Sequence, residues 1–167
     1  RLQRRQVKKA RGFQELCEER KIAELSLLRN SDLPPPTQQL AGNLHIRELK
    51  RISQKPGEEG MAAQRCLAGL YSATSFYLPL EDLPRGRYEQ VASSYELSLE
   101  IRNDNPLVWY NLACVRAHLG QKNAAVEALA NAMKHGFNRY ELLETDTDLD
   151  PLRERDDFKA LLATVPT

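Results

Sequence analysis

Nine prolines break this chain at a few points only, and in the stretches between them the apolar residues recur at spacings of three and four. That is the period of one face of an α-helix, so the punctuation divides the 167 residues into a series of amphipathic helices. From Leu2 to Asn30 there is no proline, and Phe13, Leu16, Cys17, Ala23, Leu27 and Leu28 share the helical spacing. Pro34-Pro35-Pro36 must end that helix, because proline lacks an amide donor and pushes the residue before it out of the helical region. Thr37 is placed to cap a second helix carrying Leu40, Leu44, Leu49 and Ile52 on one stripe, closed by Lys55-Pro56-Gly57. A third helix is expected from Glu58 to Tyr77, with Met61, Leu67, Leu70, Tyr71 and Phe76 offered for burial, before Pro79 and Pro84 impose a loop or kink.

The remaining pattern is more regular. Tyr88, Val91, Tyr95 and Leu99 mark a fourth helix. Asn105-Pro106 reads as a cap followed by proline at the first helical position, opening a fifth helix that runs to Leu119. Gly120 supplies a tight reversal, and Ala125, Val126, Leu129, Ala132 and Met133 define a sixth helix that stops at His135-Gly136. With so short a turn between them, the fifth and sixth helices are expected to pack antiparallel.

Charge excludes several classes of partner. Lys plus Arg number 24 against 23 Asp plus Glu, a formal charge of +1, so no global field favours nucleic acid or an acidic ligand. The basic residues before Glu15 and the acidic ones from Glu141 to Asp150 are local asymmetries of solvated faces. No run of about 18 apolar residues offers a membrane span. Cys17, Cys66 and Cys114 are far apart and in no paired spacing, which fits small core residues better than a disulfide framework or a zinc site. The chain opens on Arg1 rather than methionine, so further sequence is expected upstream.

Between Pro106 and Arg139, Trp109, Leu112, Ala113, Gly120, Ala125, Leu129 and Ala132 stand where the tetratricopeptide repeat has its bulky and small positions. The chain is therefore similar to that family, with Arg116 replacing the usual aromatic. Tyr88, Val91, Tyr95 and Ser98 resemble the second helix of a preceding repeat, and Leu67, Ala68 and Tyr71 its first, lengthened by about eleven residues over the 34-residue period. Tyr140 to Leu143, Asp146, Leu149, Pro151-Leu152-Arg153, Phe158, Leu161 and Leu162 resemble the segment that closes many bacterial members. The resemblance implies an all-α fold, a right-handed superhelical solenoid of about four antiparallel hairpins and some eight helices. Residues 61–167 would hold the repeats and their cap. Residues 1–60 would form an N-terminal hairpin outside the resemblance, in one continuous domain.

No catalytic constellation emerges. Asp146-x-Asp148-x-Asp150 has calcium-loop spacing, but Pro151 stands where such a loop needs glycine and Asp157 where it needs glutamate. His45, His118 and His135 fall on different helices, and although His118 follows Cys114 by one turn, no further ligand lies near them in sequence. There is no nucleophile elbow and no glycine-rich phosphate loop. The expectation is a protein that is not an enzyme and has no cofactor and no metal.

In the family, the first helix of each hairpin lines a concave groove, which projects Leu107, Tyr110, Asn111, Cys114, Ala117 and His118 toward a ligand. Tyr110 offers aromatic contact area and Asn111 an amide for an extended backbone, so the resemblance implies a protein or peptide partner. Asn111 and Arg65 also resemble parts of a clamp for a C-terminal carboxylate. Gly69, Glu141 and Thr145, however, occupy the positions where that clamp needs Asn, Lys and Arg. The expected role is a scaffold or protein-binding module with partner contacts at Tyr110, Asn111, Cys114, His118 and Arg65. The alternatives are a regulatory or substrate-docking part of a larger bacterial enzyme such as a kinase or peptidase, and a homo-oligomer formed through the long first helix.

Overall fold

The computed structural model describes residues 2–166 and contains, among those residues, ten α-helices and no strand. Helix α1 spans Leu2–Asn30, α2 Thr37–Asn43, α3 Ile46–Ser53, α4 Glu58–Ser72 and α5 Leu78–Asp82. Helix α6 spans Tyr88–Ile101, α7 Pro106–His118, α8 Lys122–Lys134, α9 Tyr140–Thr145 and α10 Asp156–Leu162. The fold is an all-α solenoid, with successive layers of helix sharing a wall. One layer joins Cys17, Leu25 and Leu28 of α1 to α2, α3, α4 and the far face of α6. The next sets Val91 and Tyr95 of α6 against Val108, Leu112 and Val115 of α7. The last packs Ala113 and Ala117 of α7 on α8 and on Phe137, Leu143, Leu149, Leu152 and Phe158 of the tail. Alanine at 113, 117, 125, 128 and 132, all buried, lets α7 and α8 approach closely.

Three departures from the sequence expectation have local causes. The helix expected from Thr37 to Lys55 is two helices, broken at His45, whose φ is +55°. Leu44 and Ile46 are two residues apart and would face opposite sides of an unbroken helix. The left-handed His45 rephases the chain so that both are buried. Thr37 does not cap α2; Pro36 precedes the helix, and the Thr37 hydroxyl instead donates to Glu96 at 2.6 Å.

The stretch expected to be a loop or kink around Pro79 is helical. Ala73–Tyr77 form a π-helical turn in which the Leu78 amide reaches the Ala73 carbonyl, and α5 follows directly. The wider turn absorbs the ring of Pro79 and its missing donor. Hydroxyls of Thr74 and Ser75 donate to the carbonyls of Leu70 and Tyr71 at 2.8 and 2.6 Å. A short 3₁₀ turn, Leu83–Arg85, then leads to Gly86. Phe76 and Met61, expected in the core, are exposed instead. The count of ten helices rather than about eight follows from the break at His45, which adds α3, and the continuation through Pro79, which adds α5.

Other expectations hold in detail. The Asn105 side chain accepts from the Leu107 amide at 3.0 Å, the cap read from the sequence. Gly120 and Gly136 take φ of +72° and +99° at the ends of α7 and α8. Arg116, in place of an aromatic, reaches the Ala124 carbonyl at 3.2 Å and Glu96 at 3.5 Å, linking α6, α7 and α8 through polar contacts. Trp109 donates from its indole nitrogen to the Asn103 carbonyl at 2.7 Å and stacks on His135 at 6.2 Å between ring centres.

The N-terminal helices are tied to the rest of the fold through α6 and the turn before it. Arg87 sits 3.6 Å from the buried Asp82 carboxylate and donates to the Arg29 carbonyl. Gln90 donates to the Ser31 carbonyl at 2.8 Å, and Gln38 to Glu100 at 2.8 Å.

At the start of α4, a Cβ on Gly60 would lie 1.8 Å from the Lys55 carbonyl oxygen, whereas one on Gly12 in α1 would meet nothing within 4 Å. Gly60→Ala is therefore expected to cost about 1–3 kcal/mol or more through forced backbone movement. Gly12→Ala is expected to add up to about 1 kcal/mol of helix propensity. Urea denaturation midpoints of the two variants should move in opposite directions.

Candidate functional site

Helix α7 is buried on the side facing α6 and on the side facing α8, so only a narrow strip of it meets solvent, with Leu107, Asn111 and His118 exposed. Beside this strip lies a cavity of about 240 Å³. Its walls are Tyr88 and Tyr95 from α6, Tyr110, Asn111, Cys114, Val115 and His118 from α7, Leu83 from the preceding 3₁₀ turn, and Asp146 and Asp148 from the tail.

Four of the five partner-contact residues expected from the sequence come together here: Tyr110, Asn111, Cys114 and His118. Arg65 stands apart on α4, its guanidinium 3.4 Å from the Gln14 side chain of α1. The four do not play equal parts. Tyr110 is buried, stacked on Phe137 at 4.4 Å, and donates its hydroxyl to Asp146 at 2.6 Å. Cys114 is 7% exposed, with its sulfur 4.0 Å from the same carboxylate oxygen. Asn111 and His118 remain accessible, and the His118 ring stacks on Tyr88 at 4.6 Å while its Nε2 meets Asp148 at 2.8 Å.

Asp146 holds this arrangement in place. One carboxylate oxygen accepts from the Asp148 amide at 3.0 Å, capping the 3₁₀ turn Thr147–Leu152, and the other accepts from Tyr110. Its own carbonyl accepts from Arg153 at 2.8 Å, and Arg153 also reaches the Leu143 carbonyl at 3.0 Å and Asp150 at 2.7 Å. The three alternating aspartates thus diverge. Asp146 and Asp148 face α7, whereas Asp150 pairs with Arg153. The spacing of these residues was visible in the sequence. Their convergence on Cys114 and His118 was not, because it depends on how the tail folds back across α7.

Burial and the neighbouring carboxylates keep the hydroxyl and thiol groups of the site protonated. Burial, with the charges of Asp146 and Asp148, pushes the Cys114 thiol from its ordinary 9.0 up to about 12. Burial, then the neighbouring Cys114, raises Tyr95 from 10.0 to about 12. Burial and the hydrogen bond to Asp146 raise Tyr110 as well. None of these groups is set up as a nucleophile near neutral pH.

A second feature adjoins the cavity. Phe76, Tyr77, Leu80 and Leu83, on the π turn, α5 and the 3₁₀ turn, are 57%, 61%, 60% and 38% exposed. Phe76 and Tyr77 meet edge to face at 5.1 Å, and Leu83 belongs both to this patch and to the cavity wall.

The chain is similar to a chloroplastic protein of Arabidopsis thaliana, 32% identical over 80 residues, which are 46% of this chain and 24% of that protein. It is also similar to a TPR repeat-containing protein of Methanocaldococcus jannaschii, 38% identical over 52 residues, 31% of this chain and 9% of that protein. The matched stretches therefore span less than a quarter of either relative. No family model matches the chain, and no solved structure matches it significantly.

Because the folded state retains protons on Cys114 and Tyr95 that the unfolded chain releases, their contribution to stability is whole below about pH 9 and is lost as pH rises toward 12. The wild-type urea midpoint is expected to fall over that window. Cys114→Ala, less stable at pH 7 because of the volume it removes, should lose less between pH 8 and 11 than the wild type. An equal loss in the two proteins would show that the buried thiol is not the cause.

Proposed function

We propose that this chain is a non-catalytic protein-binding module of tetratricopeptide type, holding a protein or peptide partner where the exposed α5 patch meets the α7 cavity. The observation that carries the reading is the placement of four large apolar side chains, Phe76, Tyr77, Leu80 and Leu83, in solvent beside a polar cleft. Apolar side chains grouped in this way, rimmed by polar groups, mark contact surfaces more often than free surface. The similarity to a TPR repeat-containing protein supports a partner of protein chemistry.

Within this reading the contacts differ from a simple groove. Asn111, His118 and Leu107 supply the accessible part of α7, while Tyr110 and Cys114 form the floor beneath them. Asp146 and Asp148 give the cleft an acidic side, suited to amide donors or a cationic side chain on the partner. The apolar patch would supply most of the affinity and the cleft most of the selectivity.

The test uses two double variants, Phe76→Ser/Leu80→Ser and Asn111→Ala/His118→Ala, each checked for native helicity. Tagged proteins are used for quantitative capture, and the affinity of the recovered partner is then measured directly. The first variant is expected to weaken binding at least tenfold, and the second by a smaller factor with altered partner preference. A partner held equally well by both folded variants would place the binding surface elsewhere.

A further inference from the structure

Cys114 and His118 lie one turn apart on α7, and on sequence alone they lack any further ligand. The fold supplies two. Asp146 and Asp148, some thirty residues later, are carried across α7 by the tail. The Cys114 sulfur and one carboxylate oxygen from each aspartate lie within 4.8 Å of one another. The sulfur and the Asp146 oxygen are 4.0 Å apart, and ligands at usual zinc–sulfur and zinc–oxygen lengths in a tetrahedron would be about 3.6 Å apart.

We propose that Cys114, Asp146 and Asp148 form a binding site for a zinc-type divalent cation, with His118 fixing the Asp148 carboxylate. Four observations support it. The residue types are mixed and come from two separate elements, so this is not merely a solvated acidic surface. Cys114 is more than nine-tenths buried, and its thiol lies beside the Tyr110 hydroxyl and faces these carboxylates, 4.0 Å from Asp146. The carboxylates already have outer hydrogen bonds of the kind that orient metal ligands: Tyr110 and the Asp148 amide on Asp146, and His118 on Asp148. The cavity in front of them, about 240 Å³, leaves room for water at the open position.

The thiolate decides the class of ion. Magnesium and calcium prefer all-oxygen sites, whereas one thiolate with two carboxylates suits zinc or its analogue cobalt. Binding replaces the thiol proton by the metal–sulfur bond, and the proton passes to solvent, so uptake should be tighter at higher pH. Such an ion would join α7 to the tail and neutralise the two facing aspartates, so the acidic side offered to a partner's cationic group belongs to the metal-free cleft. It requires no turnover and does not depend on whether the α5 patch binds a partner.

The test is titration of the reduced 167-residue chain with Co²⁺ alone, followed by displacement with Zn²⁺. The expected result is one equivalent bound, with a near-ultraviolet thiolate-to-cobalt charge-transfer band that Zn²⁺ abolishes. Cys114→Ser should lose the band, and a Cys17→Ser/Cys66→Ser variant should keep it. Asp148 is half-exposed, so Asp148→Asn should fold normally; it should weaken binding about tenfold or more. Zinc should also raise the melting temperature of the wild type, and at the same zinc concentration raise that of Asp148→Asn by less. Absence of the band in the wild type, its survival in Cys114→Ser, or unchanged affinity in folded Asp148→Asn would each overturn the assignment.

Discussion

Burial of α7 on two opposite sides is the constraint on which the rest of the structure depends. Val108, Leu112 and Val115 press against α6, while Ala113 and Ala117 press against α8. The apolar residues therefore cannot be confined to one narrow stripe, and little of the helix is left for solvent. The part that remains accessible is the strip at Leu107, Asn111 and His118. The tail is recruited by the same constraint, since Leu143, Leu149, Leu152 and Phe158 complete the layer that α7 and α8 leave open. In closing that layer the tail also brings Asp146 and Asp148 to the edge of the exposed strip.

The N-terminal helices act from the other side. Helix α6 has one face toward α7 through Val91 and Tyr95, and another toward the N-terminal layer through Leu97 and Ile101. Because α2 and α3 pack behind α6, they stiffen the wall of the cleft without contributing to its lining. The long α1 is attached along α4, with Leu16, Ile22 and Leu27 still exposed, so its share of the core is modest for its length. Polar links at Arg87 and Gln90 fix its C-terminal end against the turn into α6.

The parts of the fold governed by local chemistry were legible in the sequence. Helices α6, α7 and α8 follow from apolar spacing, the Asn105 cap and the glycine reversals, all decided within a few residues. What could not be read depends on tertiary context. The break at His45 arises from two apolar residues that both find a core, and the turn signal of Gly42-Asn43 just before it is outweighed in the sequence by the helical spacing of Leu40, Leu44 and Leu49. The π turn before Pro79 is an alternative to a loop that only packing selects. At the site, the residue types on α7 were identifiable, but their division into buried Tyr110 and Cys114 and accessible Asn111 and His118 required the tail to be in place. Phe76 illustrates the converse, since its spacing fits a core position and its neighbours leave it uncovered.

Trp109 is the single tryptophan of the chain, and its surroundings make it an internal optical reporter. Its indole is hydrogen-bonded to the turn between α6 and α7 and lies face to face with His135 at the end of α8. Fluorescence from this one residue therefore senses both the closure of the α6–α7 turn and its packing against the end of α8. The packing of three consecutive helices can be monitored in the unlabelled protein, with no dye attached to the surface proposed for a partner.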